Sequence, residues 1–169
     1  FAKEVTVGDL SSMASGLSWD EKYYSPFSIV TRAYFDDDLD KVILGLEINE
    51  KPGQSFKYLS GATQLLAMCI EKATGEYVSD YVSKNFWQPM GAENDALWQL
   101  DHEPDGIEKA YCCIASNARD FARFGKLYKQ NGKWNGEQIL DSTFVKKCIT
   151  PRFANSPEYG YGWWMHTIK

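Results

Sequence analysis

The 169-residue chain has no apolar run approaching the ~18 residues that a membrane-spanning helix needs. Basic excess is also missing. Lys and Arg number 18 against 23 Asp and Glu, a formal net charge of -5, and Lys146-Lys147 is the only basic run. A nucleic-acid surface, which depends on a basic patch, is therefore not expected. Histidine is scarce: His102 and His166 stand alone, with no partner at ligand spacing. Cys69, Cys112, Cys113 and Cys148 form no Cys-x-x-Cys pair or zinc spacing. Asp36-Asp37-Asp38 lacks the glycine and distal glutamate of a calcium loop. No metal and no cofactor is expected on these grounds. Gly-x-Ser-x-Gly does not occur, which excludes the usual nucleophile elbow of a Ser-His-Asp hydrolase. There is no internal repeat, low-complexity tract or linker. The opening Phe-Ala-Lys-Glu-Val-Thr-Val lacks the layout of a signal peptide, which says nothing about export if the true N-terminus lies upstream.

What is present is apolar and ring-rich, with 44% hydrophobic and 15% aromatic residues. That supports one core and gives no reason to expect two domains. The cysteines read as small buried hydrophobes, with a disulfide involving Cys148 as the alternative.

The organising stretch runs from Pro52 to Gly75. Pro52-Gly53 is a turn dipeptide, Gln54 to Tyr58 alternates polar and aromatic residues, and Ser60 is placed to cap a helix from about Gly61 to Thr74. Gly75 ends it in a left-handed conformation. Leu65, Leu66, Met68, Cys69, Ile70 and Ala73 cover most of its circumference, the pattern of a helix buried on several sides. Tyr58 thus falls just before the positive end of a central helix, which favours anions.

Around this stretch the spacing predicts further elements. Thr6 caps a helix over 7–14, and Ser28 to Phe35 is helical. The Asp36–Asp38 carboxylates start a helix over 39–46. Residues 76–86 form another helix. Residues 92–111 carry few periodic cues and read as surface wrapping. Ser116 or Asn117, the latter with Asp120 three residues on, opens a helix whose apolar face is Phe121, Phe124, Leu127 and Tyr128. Lys133-Trp-Asn-Gly136 reads as a turn or short hairpin, and Asp141 caps a helix to Ile149. Tyr159 to Met165 reads as a strand with close backbone approach. Trp19, Tyr23 and Tyr24 cluster in the 17–26 loop, where they either cover the core edge or contact a ligand.

Four stretches, in order, carry a resemblance. Pro52-Gly-x-x-Phe-x-Tyr58-x-Ser60-Gly-x-Thr-Gln-Leu-Leu continues to Ile-Glu-x-x-Thr-Gly75. Val5-Thr-Val-Gly-Asp-Leu leads to Ser-Gly-Leu17. Ser116-Asn-Ala-Arg-Asp-Phe-Ala-Arg-Phe-Gly and Tyr159-Gly-Tyr-Gly-Trp complete the set. Together they resemble the class C β-lactamase-like serine hydrolases, which include penicillin-binding proteins, esterases and 6-aminohexanoate-dimer hydrolases. The resemblance implies a mostly α chain with a little β: the helical subdomain and part of the sheet of a β-lactamase/transpeptidase-like α/β fold. Residues 1–169 are expected to form a single partial domain, truncated at both ends.

The resemblance implies a chemistry as well. Such enzymes use a serine in Ser-x-x-Lys, the tyrosine of Tyr-x-Asn and a late Lys-Thr-Gly or His-x-Gly strand. A serine needs a base. A tyrosine serves as one only when nearby cations stabilise its phenolate. Tyr58 is implied as the catalytic proton shuttle, with Ser60 at the position of the family's Asn and Tyr24 as a substrate contact. The Ser for Asn exchange retains a hydrogen-bonding group but loses the separate amide donor and acceptor, leaning towards an esterase or amidase. Ser-x-x-Lys, Lys-Thr-Gly and His-x-Gly do not occur in the 169 residues. The nucleophile is therefore expected upstream, in a longer serine hydrolase cleaving an amide, ester or β-lactam bond in a small-molecule or peptide-like substrate. The alternative is a non-catalytic binding or sensory module. The resemblance suggests a periplasmic or extracytoplasmic location. It also implies that this segment packs against other parts of the longer protein or against another chain.

Overall fold

The computed structural model describes residues 1–165; His166 to Lys169 lie outside it. The elements are α1 (Val7–Ser11), α2 (Ile29–Phe35), α3 (Leu39–Leu44), α4 (Ser60–Thr74), α5 (Val78–Val82), β1 (Leu97–Trp98), β2 (Ile114–Ala115), α6 (Ala118–Lys129), β3 (Lys133–Trp134), β4 (Glu137–Gln138) and α7 (Ser142–Cys148). β1 pairs antiparallel with β2 and β3 with β4. The expectation of a mostly helical chain with little sheet is met.

Local chemistry accounts for the starts. Thr6 and Asp9 form a reciprocal capping box on α1, and Ser28, Asp38, Asn117 and Asp141 accept from backbone N–H groups at the heads of α2, α3, α6 and α7. Gly75 closes α4 at φ 73°, as its position predicts. The β3–β4 hairpin turns on Asn135 and Gly136, both at positive φ, the requirement of the tight hairpin turn.

Leu10, Met13 and Leu17 from the first segment, Val30 and Ala33 from α2, Leu39, Val42 and Ile43 from α3, and Leu59 and Ala62 from α4 form one core with Trp19 and Tyr159. α1 lies against α4 and α2 against α3. The chain is also closed end to end. Arg152 reaches back to α1, pairing with Asp9 at 2.7 Å and donating to Ser12 Oγ at 2.7 Å and Gly8 O at 3.2 Å. Burial pushes the Asp9 carboxyl up, but its bonds from Thr6 and the Arg152 guanidinium outweigh that and hold it below its ordinary value.

Four expectations need correction. Only the first turns of α4 are covered: Ser60, Gly61, Ala62, Gln64 and Ala67 are buried, while Cys69 is exposed, so the helix is not enclosed along its length. Cys112 and Cys113 are joined as a vicinal disulfide and Cys148 is a buried thiol, which fixes the pairing that spacing left open. Residues 92–111 are not simple wrapping, since Leu97–Trp98 pairs with Ile114–Ala115 and Trp98 Nε1 donates to the carbonyls of Lys109 and Cys112. Tyr159 to Met165 is a tight turn with one bridge, Tyr159 to Trp164, rather than a strand. Gly162 at φ 77° reverses it.

Candidate active site

Tyr58 ends the extended run that precedes α4. That run is docked along the segment after α1 by Lys57 N to Met13 O at 2.8 Å and Gly53 N to Ala14 O at 2.8 Å. Backbone pairing therefore aims alternate side chains to opposite sides. Leu59 is buried in the core, while Tyr58 is 36% exposed. The phenol is thus not locked in hydrocarbon. Its ring meets Trp164 at 5.5 Å and Tyr159 at 6.3 Å between centroids, and Phe56 joins the same cluster at 5.0 Å from Tyr159.

Ser60 does not cap α4, contrary to the expectation. It is the first helical residue, Leu59 occupies the cap position, and Ser60 is 3% exposed. The capping oxygen comes from Glu21, a residue that sequence reasoning missed. Glu21 Oε1 accepts from Ser60 N at 2.5 Å and from Trp19 Nε1 at 2.9 Å. Glu21 Oε2 accepts from Ser60 Oγ at 3.1 Å and from Tyr23 OH at 2.6 Å. The positive end of the helix is already occupied by an internal anion. Gly61 makes this possible: a Cβ there would stand 2.5 Å from Trp19 Cε3, so only glycine lets the indole lie on the first turn and deliver Glu21 to Ser60.

Burial and the Glu21 charge raise the Tyr58 pKa above 10, with the Ser60 hydroxyl working the other way. Tyr159 is pushed up to about 12 by burial and by the neighbouring Tyr58. No Lys or Arg bonds to Tyr58 among the described residues. Lys57 is engaged by Glu50 at 3.2 Å. Burial and the Glu21 charge both favour the protonated phenol, and base chemistry at a tyrosine needs a cation that stabilises its phenolate.

The structure brings Tyr58 and Ser60 together with Glu21, Tyr23 and Trp19. Tyr24 is 86% exposed and joins this network through no hydrogen bond or ring contact among the described residues. Trp19 resolves to the core, 4% exposed and edge-on to Tyr111 at 6.2 Å. The aspartates 36–38 gather no metal-ligand group, and among the described residues no cluster of three or more His, Cys, Asp or Glu is placed to hold an ion.

The beta-lactamase family profile matches residues 1–168, nearly the whole chain. The chain belongs to the beta-lactamase family. Over 94 residues it is 27% identical to a 6-aminohexanoate-dimer hydrolase of Paenarthrobacter ureafaciens, a match covering 56% of this chain and 24% of that protein. The Staphylococcus aureus (strain COL) protein named flp is 23% identical over 99 residues, 59% of this chain and 20% of the relative. Among solved structures, a Bacillus anthracis protein provisionally described as a 6-aminohexanoate-dimer hydrolase superposes with a TM-score of 0.79 at 24% identity, over 95% of this chain and 47% of its own. A penicillin-binding protein from Bacillus halodurans gives 0.68 at 19% identity, over 94% and 56%. The fold is that of the beta-lactamase-family hydrolases, and the chain spans about half of these structures and about a quarter or less of the curated relatives.

Proposed function

We propose that this chain is the tyrosine-bearing segment of a serine hydrolase that cleaves an amide or ester bond in a small-molecule or peptide-like substrate through an acyl-enzyme. Tyr58 is the proton shuttle and Ser60 lines the site beside it, while the Ser-x-x-Lys nucleophile lies elsewhere in a longer protein. The observation that carries this reading is a half-exposed phenol placed by backbone pairing at the mouth of α4 rather than packed in the core. The raised Tyr58 pKa fits a phenol that stays protonated until a lysine from outside residues 1–165 reaches it. The hydrolase named among the curated relatives favours amide cleavage over other acyl transfers. Tyr24 extends the site only if substrate brings it in, since no bond draws it there. The 169 residues alone are expected to show no turnover.

The test is covalent labelling of the full-length protein with a fluorophosphonate serine probe, with and without Tyr58→Phe. Labelling that is lost or slowed by ~100-fold or more in the variant supports the reading, that being the usual weight of a positioned general acid or base. Labelling unaffected by Tyr58→Phe overturns the role of Tyr58. A second reading, a binding module without turnover, is favoured by the commitment of the Ser60 hydroxyl to Glu21. A full-length protein that takes up no probe while binding substrate-like amides would establish it.

A further inference from the structure

We infer that Glu21 is a positioning residue of this site: its carboxylate fastens the loop after α1 to the first turn of α4 and so fixes where Tyr58 and Ser60 stand. The role for the site rests on the reading of Tyr58 as proton shuttle, but the clamp itself is visible without it.

Counting acceptors decides what Glu21 does. An ionised carboxylate offers about four lone-pair sites. Oε1 receives Ser60 N and Trp19 Nε1, and Oε2 receives Ser60 Oγ and Tyr23 OH, so four donors fill the set. No site is left to take a proton from a nucleophile or to bind a substrate ammonium. Glu21 is therefore neither base nor ligand contact. Its donors come from three places: Trp19 and Tyr23 on the loop, and the backbone and side chain of Ser60 on the helix. Such charge-assisted bonds are roughly twice as strong as neutral ones, and the positive end of α4 adds to them. Because Tyr58 lies two residues before Ser60, the clamp also fixes the phenol.

The same carboxylate sets the charge around Tyr58. Among the described residues, the ionisable groups near that ring are Glu21 and Tyr23 from the loop and Tyr159 from the C-terminal turn, with Lys57 engaged by Glu50. Replacing Glu21 by glutamine removes a negative charge and loosens the Ser60 hydroxyl to donate towards Tyr58. Both changes favour the phenolate, so they act with one sign.

The experiment uses the chain with 13Cζ-labelled tyrosine, the Tyr58 resonance assigned from Tyr58→Phe, and compares Glu21→Gln with Glu21→Ala. Glutamine keeps an acceptor for Ser60 N, so the fold is retained while the Tyr58 titration moves to lower pH. Alanine leaves the Ser60 amide without its acceptor, and its hydrogen exchange speeds up on the order of 10-fold or more. If Glu21→Ala does not fold, Glu21→Gln still decides. A Tyr58 midpoint and a Ser60 amide resonance both unmoved in Glu21→Gln overturn the inference. A serine probe unaffected by Tyr58→Phe would overturn the proposed function instead and leave this titration untouched.

Discussion

Glu21 and Asp120 each hold the N-terminal end of one of the two longest helices, and they do so under opposite electrostatic conditions. Asp120 sits inside α6 and collects the backbone N–H groups of Glu93 at 3.0 Å and Asn94 at 3.1 Å, the Asn117 amide at 2.5 Å and the Arg123 guanidinium at 2.5 Å. Arg123 continues to Glu93. Its charge is matched within the same knot, and the Glu93 backbone bond, opposed by burial and aided by Asn117 and Asn94, holds its carboxyl at about 2. Glu21 collects four donors but, among the described residues, no cation, and its charge is felt by a neighbouring phenol. A matched carboxylate makes a scaffold. An unmatched one beside a half-exposed ring makes a place where chemistry can be tuned.

The sharpest way to break this contrast is Asp120→Ala. It strands two backbone amides, two asparagine side chains and an arginine at a fully buried position, and should give the largest fall in Tm of any substitution considered, with loss of helical signal in circular dichroism. A melt equal to that of Glu21→Ala would mean the two carboxylates are alike after all. Next in size is Gly61→Ala. The added methyl collides with Trp19, and overpacking of this kind costs about 1–3 kcal/mol, read from urea midpoints. The same variant should weaken the Ser60 amide bond, linking packing to the site. Third is acid. Because the folded Asp120 and Asp9 carboxyls lie below their ordinary value of 3.8, their stabilisation is complete above that pH and is lost as the pH falls through about 2 for Asp120. Urea midpoints between pH 5 and pH 2 should drop, and less steeply in Asp120→Asn. Smallest is Lys57→Ala: its pair with Glu50 is half-exposed on both sides, so stability should change by less than about 0.5 kcal/mol.

The same contrast explains what could be read from residues alone. Asn117 and Asp120 lie three apart, and a cap whose partners are close in the chain is visible as spacing; so are Thr6 with Asp9 and the Asn135-Gly136 turn. Glu21 and Ser60 are separated by 39 residues, and no periodicity joins them. A loop glutamate looks like any solvated charge until Trp19 is known to lie on Gly61. The only available signal was Gly61 itself, a glycine in the first turn of a helix with no turn to make. Tyr58 and Ser60 were placed together by the family's motif order, as was Tyr24 by the resemblance of its loop, and Tyr24 is exposed and makes no hydrogen bond to them among the described residues. The vicinal cysteines defeated spacing rules because those rules look for partners across loops.

The ring cluster at Phe56, Tyr58, Tyr159 and Trp164 has a practical corollary. Trp164 is an indole in contact with the phenol of interest, 5.5 Å away between centroids and 46% exposed. Its emission should respond when the hydroxyl of Tyr58 ionises or when a molecule settles against that ring. The protein thus carries its own optical gauge of the site, and a Trp164→Phe difference spectrum would isolate it without any attached dye.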